Sequence, residues 1–263
     1  MLEDELLHVV VPVFNEEKRF NHQFWLDLVS VRKLKIWFVN DGSTDNTQQL
    51  LEELCLLRQS FECVNLLQNV GKANAIREGF LHIFTEIELE NQLVAFIDAD
   101  SALPVEEFNY FIEEAVDLLG KFPEIGSVWA SRVALSGHNI DRNVYRHILG
   151  RFVATFMSAG EKNFPYDTQC GFKVFRPTPT LSKVLRQTFK SKWFMEIELL
   201  SRIRTLNMES YDIREIPLRE WRDVSGSHIR FSNFAFIVVE MIRVKKLLNA
   251  SKKGRADGSQ GAR

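Results

Sequence analysis

The sequence lacks the features that mark exported, membrane-spanning and disulfide-stabilised proteins. Only three of its 263 residues are cysteines, Cys55, Cys63 and Cys170, and their number and spacing predict free thiols in a reducing compartment. The amino terminus, MLEDELLHVV, is acidic where a signal peptide would be basic. The longest apolar run, Phe234–Val239, ends at Glu240, far short of the roughly 18 residues that a spanning helix needs. We therefore expect a cytoplasmic protein, either free or peripheral on the cytoplasmic face of a membrane.

A strong net charge is also missing. The chain has 33 Lys and Arg residues against 35 Asp and Glu, a formal charge of −2, so we expect no nucleic acid partner. Hydrophobic residues make up 45% and charged residues 26%, which fits a soluble globular protein and excludes collagen-like and wholly disordered chains. Tyrosine is scarce, with 4 residues against 21 Phe, so the aromatic supply is largely apolar and favours packing.

Glycine-rich nucleotide-binding loops are absent as well. No G-x-G-x-x-G motif follows the first predicted strand, and no G-x-x-x-x-G-K-[ST] motif occurs anywhere. Their absence argues against dinucleotide-dependent dehydrogenases and P-loop nucleotidases. The first strand is followed instead by Phe14-Asn15-Glu16.

Short apolar runs alternate with helical segments through the first half of the chain. This alternation predicts right-handed βαβ units and an α/β, Rossmann-like fold with a mostly parallel central sheet flanked by helices. The predicted strands are 8–13, 35–40, 63–67, 92–97 and 126–131, and the helices are 15–31, 46–58, 71–87 and one that starts at Pro104. The less regular second half predicts helices over 139–159, 193–206 and 229–248 and strands over 171–175 and 211–218.

Polar residues follow three of the predicted strands directly. Asn15 and Glu16 follow the first strand, Asp41 the second, and Asp98 and Asp100 the fourth. Ligands of such sheets bind outside the carboxyl ends of the strands, so these side chains predict a binding site at one rim. Two carboxylates one residue apart can hold Mg²⁺ or Mn²⁺ beside a phosphate group. Such a cation would neutralise a departing diphosphate.

Four motifs in order resemble the signatures of family 2 glycosyltransferases with the GT-A fold. They are Val11–Glu16, Val39–Asp45, Asn69–Ile76 and Phe96–Asp100. Later motifs resemble the branch of dolichyl-phosphate glucosyltransferases and dolichyl-phosphate mannose synthases: Asp167–Lys173, Phe194–Leu199, Trp221 and Ser225–Ser227. The resemblance implies a glycosyltransferase domain over 1–228, with a nucleotide-sugar half (1–132) and an acceptor half (133–228). A C-terminal amphipathic helix over 229–249 and a disordered tail over 250–263 would follow.

The resemblance also implies roles for the donor side. Pro12, Asn15 and Glu16 would line the nucleoside pocket, with Glu16 on the ribose. Asp41 would contact the base edge, and Lys72 would lie near the sugar nucleotide. Asp98 would face the ribose and the hydrated metal, and Asp100 would bind the metal directly.

On the acceptor side, the resemblance places cations where a lipid phosphate would bind. Arg146 matches the phosphate-binding arginine of the family, and Arg132, Arg222 and Ser227 are further candidates. Arginine suits this role because its planar fork binds phosphate oxygens in pairs. The chain departs from the branch in two places, with Ala102 where the mannose synthases carry a metal-assisting Gln, and with His228 in place of the usual Lys.

The implied reaction is an inverting transfer of a hexose from a nucleotide sugar, with UDP-glucose favoured over a GDP-mannose-type donor, to a polyprenyl phosphate. Asp100, Arg146 and Glu196 would be its catalytic residues. Two alternatives remain: transfer to a hydroxyl, for which Glu196 could be the general base, and sugar-nucleotide binding without turnover. The apolar C-terminal helix, with its basic end, could lie on a membrane surface or pack on the catalytic domain or a partner subunit.

Overall fold

A computed structural model describes residues 6–86, 92–161, 164–206, 211–224 and 234–260. Nine strands belong to its described part: β1 (Leu7–Val13), β2 (Leu34–Asn40), β3 (Phe61–Asn65), β4 (Leu93–Ile97), β5 (Ile125–Ser131), β6 (Asn139–Asp141), β7 (Phe172–Phe175), β8 (Asp212–Pro217) and β9 (Glu220–Arg222). The helices are α1 (His22–Val31), α2 (Thr47–Leu57), α3 (Lys72–Glu86), α4 (Val105–Lys121), α5 (Val144–Ser158), α6 (Pro179–Leu185), α7 (Met195–Thr205) and α8 (Phe234–Gln260).

Seven strands form one twisted sheet in the order β3-β2-β1-β4-β7-β5-β8. All neighbours are parallel except those of β7, which runs antiparallel to both β4 and β5. The short strands β6 and β9 pair separately and in parallel. The predicted α/β fold with a mostly parallel central sheet is therefore confirmed.

The sheet is covered by helices on both faces, which is why its inner strands are apolar on both sides. In β1, Val9 and Val11 belong to one core cluster and Val10 to another, and all three are fully buried. Phe108 of α4 stacks on Phe172 of β7 with ring centroids 4.9 Å apart. Many of the abundant Phe residues thus pack in the core, among them Phe38, Phe96, Phe108 and Phe172.

Several boundaries differ from those that the sequence predicts, because side chains intervene. The first helix begins at His22 rather than at residue 15, since the Asn21 side chain accepts a hydrogen bond from Phe24 N (3.2 Å) and caps it. Near residue 15, where the helix was predicted to begin, the backbone amide of Glu16 donates to Thr47 Oγ1 (2.9 Å). The third strand is 61–65 rather than 63–67, since its register with β2 pairs Ile36 with Phe61.

The segment 139–159, predicted as one helix, starts as strand β6, because Asn139 N donates to Arg219 O (2.7 Å) in the loop before β9. Helix α6 and strand β9 were not predicted. Helix α8 continues to Gln260, through most of the tail for which composition predicted disorder, and residues 229–233 and 261–263 lie outside the described residues. In the described part of the chain, no helix combines the length and the apolar character that crossing a membrane requires.

Candidate active site

The carboxyl ends of β1, β2 and β4 open onto a cavity of about 560 Å³. Parallel strands bring their carboxyl ends to one edge, so the polar residues that follow them converge, as predicted. Eight of the predicted site residues line this cavity: Pro12, Glu16, Asp41, Lys72, Asp98, Asp100, Arg132 and Glu196. Donor-side and acceptor-side candidates therefore share one space.

The rim contains two residues in the left-handed region of backbone conformation that are not glycine. Asn15 has φ 53° and Ser101 has φ 52°, directly after β1 and close after β4. Such conformations are unfavourable for residues with a Cβ and concentrate at functional sites. Asn15 itself is not among the cavity-lining residues, since its Oδ1 accepts a hydrogen bond from Thr44 N (2.8 Å). It holds two strand-end loops together.

Asp41 anchors the loop that precedes α3. Its two carboxylate oxygens accept hydrogen bonds from Val70 N (2.7 Å) and Gly71 N (2.9 Å). Burial raises the pKa of Asp41, and the two amides oppose that rise because they favour the charged form. The carboxylate thereby sets the position of Lys72, the first residue of α3.

Lys72 lies against the acidic pair that follows β4. Its ammonium forms an ion pair with Asp98. Desolvation by itself would lower the pKa of Lys72, but the charges of Asp98 and Glu196 outweigh it, so the pKa is raised. Burial, together with the charge of Asp98, raises the pKa of Asp100 to about 6, with Lys72 acting in the opposite direction. Partial desolvation and the neighbouring Asp98 charge therefore disfavour the ionised form of Asp100 more than Lys72 favours it.

The acidic pair fits a hard divalent cation. Carboxylate oxygens are the ligands that Mg²⁺ and Mn²⁺ prefer, and Mg²⁺ is commonly held by one or two carboxylates, with phosphates and water completing its shell. Among the described residues, no three His, Cys, Asp or Glu side chains cluster as a metal-binding group. A cation held by Asp98 and Asp100 would thus take its remaining ligands from a bound phosphate and water.

Gly171, in the predicted Asp167–Lys173 motif, makes room for Asp98. Asp98 N donates to Gly171 O (3.0 Å), and a Cβ at position 171 would collide with the Asp98 carboxylate. Glycine is required there because the antiparallel strand β7 passes directly beside the end of β4.

Glu196 is held by a fully buried lysine. Lys173 Nζ donates to Glu196 Oε1 (3.3 Å) and to Cys170 O, and lies over the rings of Phe96 (5.2 Å) and Trp129 (4.9 Å). The lysine is 0% exposed, so its charge acts on Glu196 with little screening by water. Charges consequently alternate from Lys173 through Glu196 and Lys72 to Asp98.

Glu198, two residues further along α7, does not line the cavity, and its carboxylate is bound by neighbouring groups of the protein. Its carboxylate accepts from Ser191 N (2.8 Å) and pairs with Arg202 Nη2 (2.6 Å). The two acids therefore face different surroundings, as a spacing of two residues on a helix predicts.

Arg132, the residue that follows β5, is committed to Asp167. Its Nε and Nη2 donate to the two carboxylate oxygens at 2.8 and 2.9 Å, and its backbone amide donates to Oδ2 at 3.0 Å. Both side chains are buried, with 11% and 7% of their surfaces exposed. Burial opposes both charges, but their mutual attraction prevails, so the pKa of Asp167 is lowered and that of Arg132 is raised.

Of the other acceptor candidates, Arg222 has a described side chain, and it is not among the residues that line the cavity. Arg222 is exposed and lies 3.5 Å from Glu220. Arg146 belongs to α5 but its side chain is outside the described residues, and so are Ser227 and His228. Their roles stay predictions.

Other cavity-lining residues were not assigned to the site from the sequence, among them Arg19, Arg142, Trp193 and Trp221. Arg142 Nη1 lies 3.5 Å from Arg132 O, and burial together with the charge of Arg132 lowers the pKa of Arg142. Trp193 directly precedes the recognised Phe194–Leu199 motif, which is the signal that could have identified it.

Comparison with known proteins agrees with this geometry. The family profile "Glycosyl transferase family 2" matches residues 8–176. A dolichyl-phosphate beta-glucosyltransferase of Saccharomyces cerevisiae is 30% identical over 243 residues, 86% of this chain and 69% of that protein. A dolichyl-phosphate beta-glucosyltransferase of Trichomonas vaginalis is 28% identical over 89% of this chain and 71% of its own.

Solved structures share the fold. Glucosyl-3-phosphoglycerate synthase from Mycobacterium tuberculosis, in complex with Mn²⁺, UDP and phosphoglyceric acid, superposes with a TM-score of 0.59 and 17% identity, covering 95% of this chain and 81% of that one. The mannosyltransferase PcManGT from Pyrobaculum calidifontis, in complex with GDP-Man and Mn²⁺, gives a TM-score of 0.53 and 14% identity, covering 98% and 76%.

Proposed function

The chain belongs to glycosyl transferase family 2, and from this membership we propose that it transfers glucose from UDP-glucose to a polyprenyl phosphate of the dolichyl type, with inversion and with the help of Mg²⁺ or Mn²⁺. The observation that carries the proposal is one cavity that joins the Asp98–Asp100 pair to Arg132 and Arg142 on the acceptor side. The relatives named dolichyl-phosphate beta-glucosyltransferases support the choice of sugar and acceptor.

On the donor side, the acidic pair would hold the metal. When bound there, the cation would neutralise the diphosphate as it departs. Lys72, already in the field of three carboxylates, would contribute a second positive charge close to the same phosphates. Pro12, Glu16 and Asp41 line the adjoining wall, where the nucleoside would lie. The two solved structures of similar fold contain UDP or GDP-Man together with Mn²⁺, which is consistent with such a donor.

On the acceptor side, a phosphate monoester is already anionic at neutral pH, so its oxygen can attack the anomeric carbon without a strong base. The main contribution of the protein is then to hold the two phosphorylated ligands in line. Arg132 and Arg142 both line the cavity, and Arg146 of α5 is the phosphate ligand that the family resemblance implies. The acceptor lipid also places the reaction at a membrane surface.

A transfer assay with purified protein tests the proposal. We expect UDP-glucose and Mn²⁺ together to raise the melting temperature, since a ligand that binds only the folded state stabilises it. We also expect radiolabelled glucose to pass to a short polyprenyl phosphate. Stabilisation by GDP-mannose but not UDP-glucose would overturn the choice of donor, and donor binding without any transfer would support a binding protein instead.

Arg146→Ala is the matched variant for the acceptor. We expect its transfer rate to polyprenyl phosphate to fall about a hundredfold, because a charge-assisted phosphate contact is lost, while its affinity for UDP stays that of the parent. An equal fall in UDP affinity would show that the substitution disturbs the fold rather than the acceptor.

A second candidate, transfer to a hydroxyl, depends on Glu196, the carboxylate that lines the cavity beside Lys173. Glu196→Gln keeps an oxygen that can accept the Lys173 hydrogen bond but removes the base. For a phosphate acceptor we expect kcat to fall less than about tenfold, whereas loss of a general base costs roughly 10²–10⁴. A loss in the larger range, measured by initial rates on polyprenyl phosphate, would favour the hydroxyl reaction.

A further inference from the structure

Four side chains of α5 form an exposed apolar row along one side of the helix. Val144, Ile148, Phe152 and Phe156 recur every four residues and are 71%, 63%, 60% and 37% exposed. This spacing places them one above the other on a single face. Soluble proteins rarely expose such a continuous apolar row to water, so we expect another molecule to cover this face of α5.

The other side of α5 belongs to the candidate active site. Val153 is buried and packs with Ile237 of α8, and both residues line the cavity together with Gly150. The helix therefore forms a wall with the cavity on one side and the apolar row on the other. Whatever covers the row lies within one helix diameter of the acceptor half of the site.

Helix α8 is fixed in its orientation by two inward-facing charged residues. Glu240 accepts hydrogen bonds from Lys192 N (2.5 Å) and Trp193 N (3.1 Å), and Lys245 Nζ donates to Met157 O (2.6 Å). The exposed positions of α8 from Phe236 to Leu247 then carry apolar and basic side chains. They include Phe236, Val239, Ile242, Arg243, Lys246 and Leu247.

The charged residues of α5, and the exposed charged residues of α8 from Phe236 to Ala250, are positive. The sequence of α5, VYRHILGRFVATFMS, contains two arginines and no acid, and between Phe234 and Ala250 the only acid is the buried Glu240. Arg151 of α5 flanks the row, where its guanidinium lies 3.8 Å from the ring centroid of Tyr166. Apolar side chains bordered by cations suit an anionic lipid surface, while a second copy of this chain would present the same positive charge and be repelled.

We propose that the α5 row inserts into a lipid surface with anionic headgroups, and that Arg151 on α5 and Arg243 and Lys246 on α8 supply cations for those headgroups. The inference rests on the proposed function, because a polyprenyl phosphate is held in a lipid surface by its tail. The wall between row and cavity then brings its phosphate to the acceptor half. The sequence pointed to the C-terminal helix alone as the membrane candidate, whereas the structure assigns the deeper contact to α5.

Co-sedimentation with vesicles tests this surface in the full chain. The variant Ile148→Ser/Phe152→Ser removes two exposed side chains that do not line the cavity. Val31→Ser/Leu56→Ser is the matched control, since these residues are 60% and 87% exposed on α1 and α2. With vesicles of phosphatidylcholine and phosphatidylserine, we expect the row variant to bind at least about tenfold more weakly than the parent, and the control to bind like the parent.

Three results would overturn the inference. They are equal binding of the row variant and the parent, equal binding of the parent to vesicles with and without phosphatidylserine, and concentration-dependent dimers in sedimentation velocity that the row variant abolishes. An unchanged melting temperature of the variant separates the effect from misfolding.

Short and long acceptors separate this inference from the proposed function. We expect the row variant to glucosylate a short, water-soluble prenyl phosphate at the parent's rate, and a long polyprenyl phosphate in vesicles at least about tenfold more slowly. If the parent binds vesicles but glucosylates neither acceptor, the proposed function is wrong, whereas the lipid contact of the α5 row is supported. If the row variant is as active as the parent on both acceptors, the lipid contact of the α5 row is wrong, whereas the proposed function is supported.

Discussion

Replacing Asp100 with Asn is expected to lower kcat at least about a hundredfold and to abolish the Mn²⁺-dependent part of UDP-glucose binding. The reason is the small number of ligands. Asp98 and Asp100 are the two carboxylates that we assign to the cation, and among the described residues no cluster of three His, Cys, Asp or Glu side chains could compensate for the loss of one. A neutral amide in place of Asp100 leaves one carboxylate, and that one is already paired with Lys72.

The same substitution separates metal binding from folding. Asp100 is a half-buried acid whose charge is opposed by that of Asp98, so in the absence of metal its replacement removes a repulsion and should not lower the melting temperature. The parent and Asp117→Asn, which alters an exposed pair with Lys121, should both be stabilised by Mn²⁺ with UDP, measured by calorimetry and thermal shift. Unchanged turnover in Asp100→Asn would contradict the metal assignment, whereas a lower metal-free melting temperature would assign Asp100 a structural role.

The sequence predicted the donor half well because its information is local. Each strand is a short apolar run, and each functional residue follows its strand directly, so the parallel topology alone is enough to gather Glu16, Asp41 and Asp98 at one rim. The one antiparallel strand, β7, was identified as a strand, but its place between β4 and β5 could not be read from periodicity.

The acceptor half was harder to predict because its contacts join distant segments. Arg132 was assigned to the acceptor phosphate, yet its main partner in the structure is Asp167, 35 residues further along the chain. The contact of the buried Lys173 with Glu196 joins strand β7 to the first turn of α7. The spacing of residues along the sequence does not indicate that these two elements lie side by side. The apolar row of α5 lies in the predicted helix 139–159, but its exposure depends on which face of the helix packs on the core.

The Arg132–Asp167 pair leads to the largest expected change in stability. Asp167→Asn should lower the free energy of unfolding by about 3–5 kcal/mol, because it leaves the Arg132 charge buried without its counter-ion. For a chain of this size such a loss corresponds to a fall in melting temperature on the order of 10 °C. Chemical denaturation at neutral pH measures it, and a loss below about 1 kcal/mol would show that the pair is not buried as described.

The pH dependence of this loss has a definite sign. The guanidinium of Arg132 lowers the pKa of Asp167 below its unfolded value, near 3.9, so the pair stabilises the fold fully above that range. As the pH falls from about 5 through the lowered pKa, the parent loses this contribution and Asp167→Asn does not. The difference in unfolding free energy between the two proteins should therefore be largest at neutral pH and shrink in acid. A difference that grows as the pH falls would contradict the assignment.

The double variant Arg132→Met/Asp167→Leu decides what the pair does besides folding. Replacing a buried ion pair with apolar side chains of similar volume is often neutral for stability, so we expect most of the loss in the single variant to be recovered. If Arg132 also contacts the acceptor phosphate, the double variant will be folded and bind UDP, but its KM for polyprenyl phosphate will rise about tenfold or more, because a cation is missing from the cavity. An unchanged KM would limit Arg132 to holding the Asp167 loop and leave the acceptor phosphate to Arg142 and Arg146.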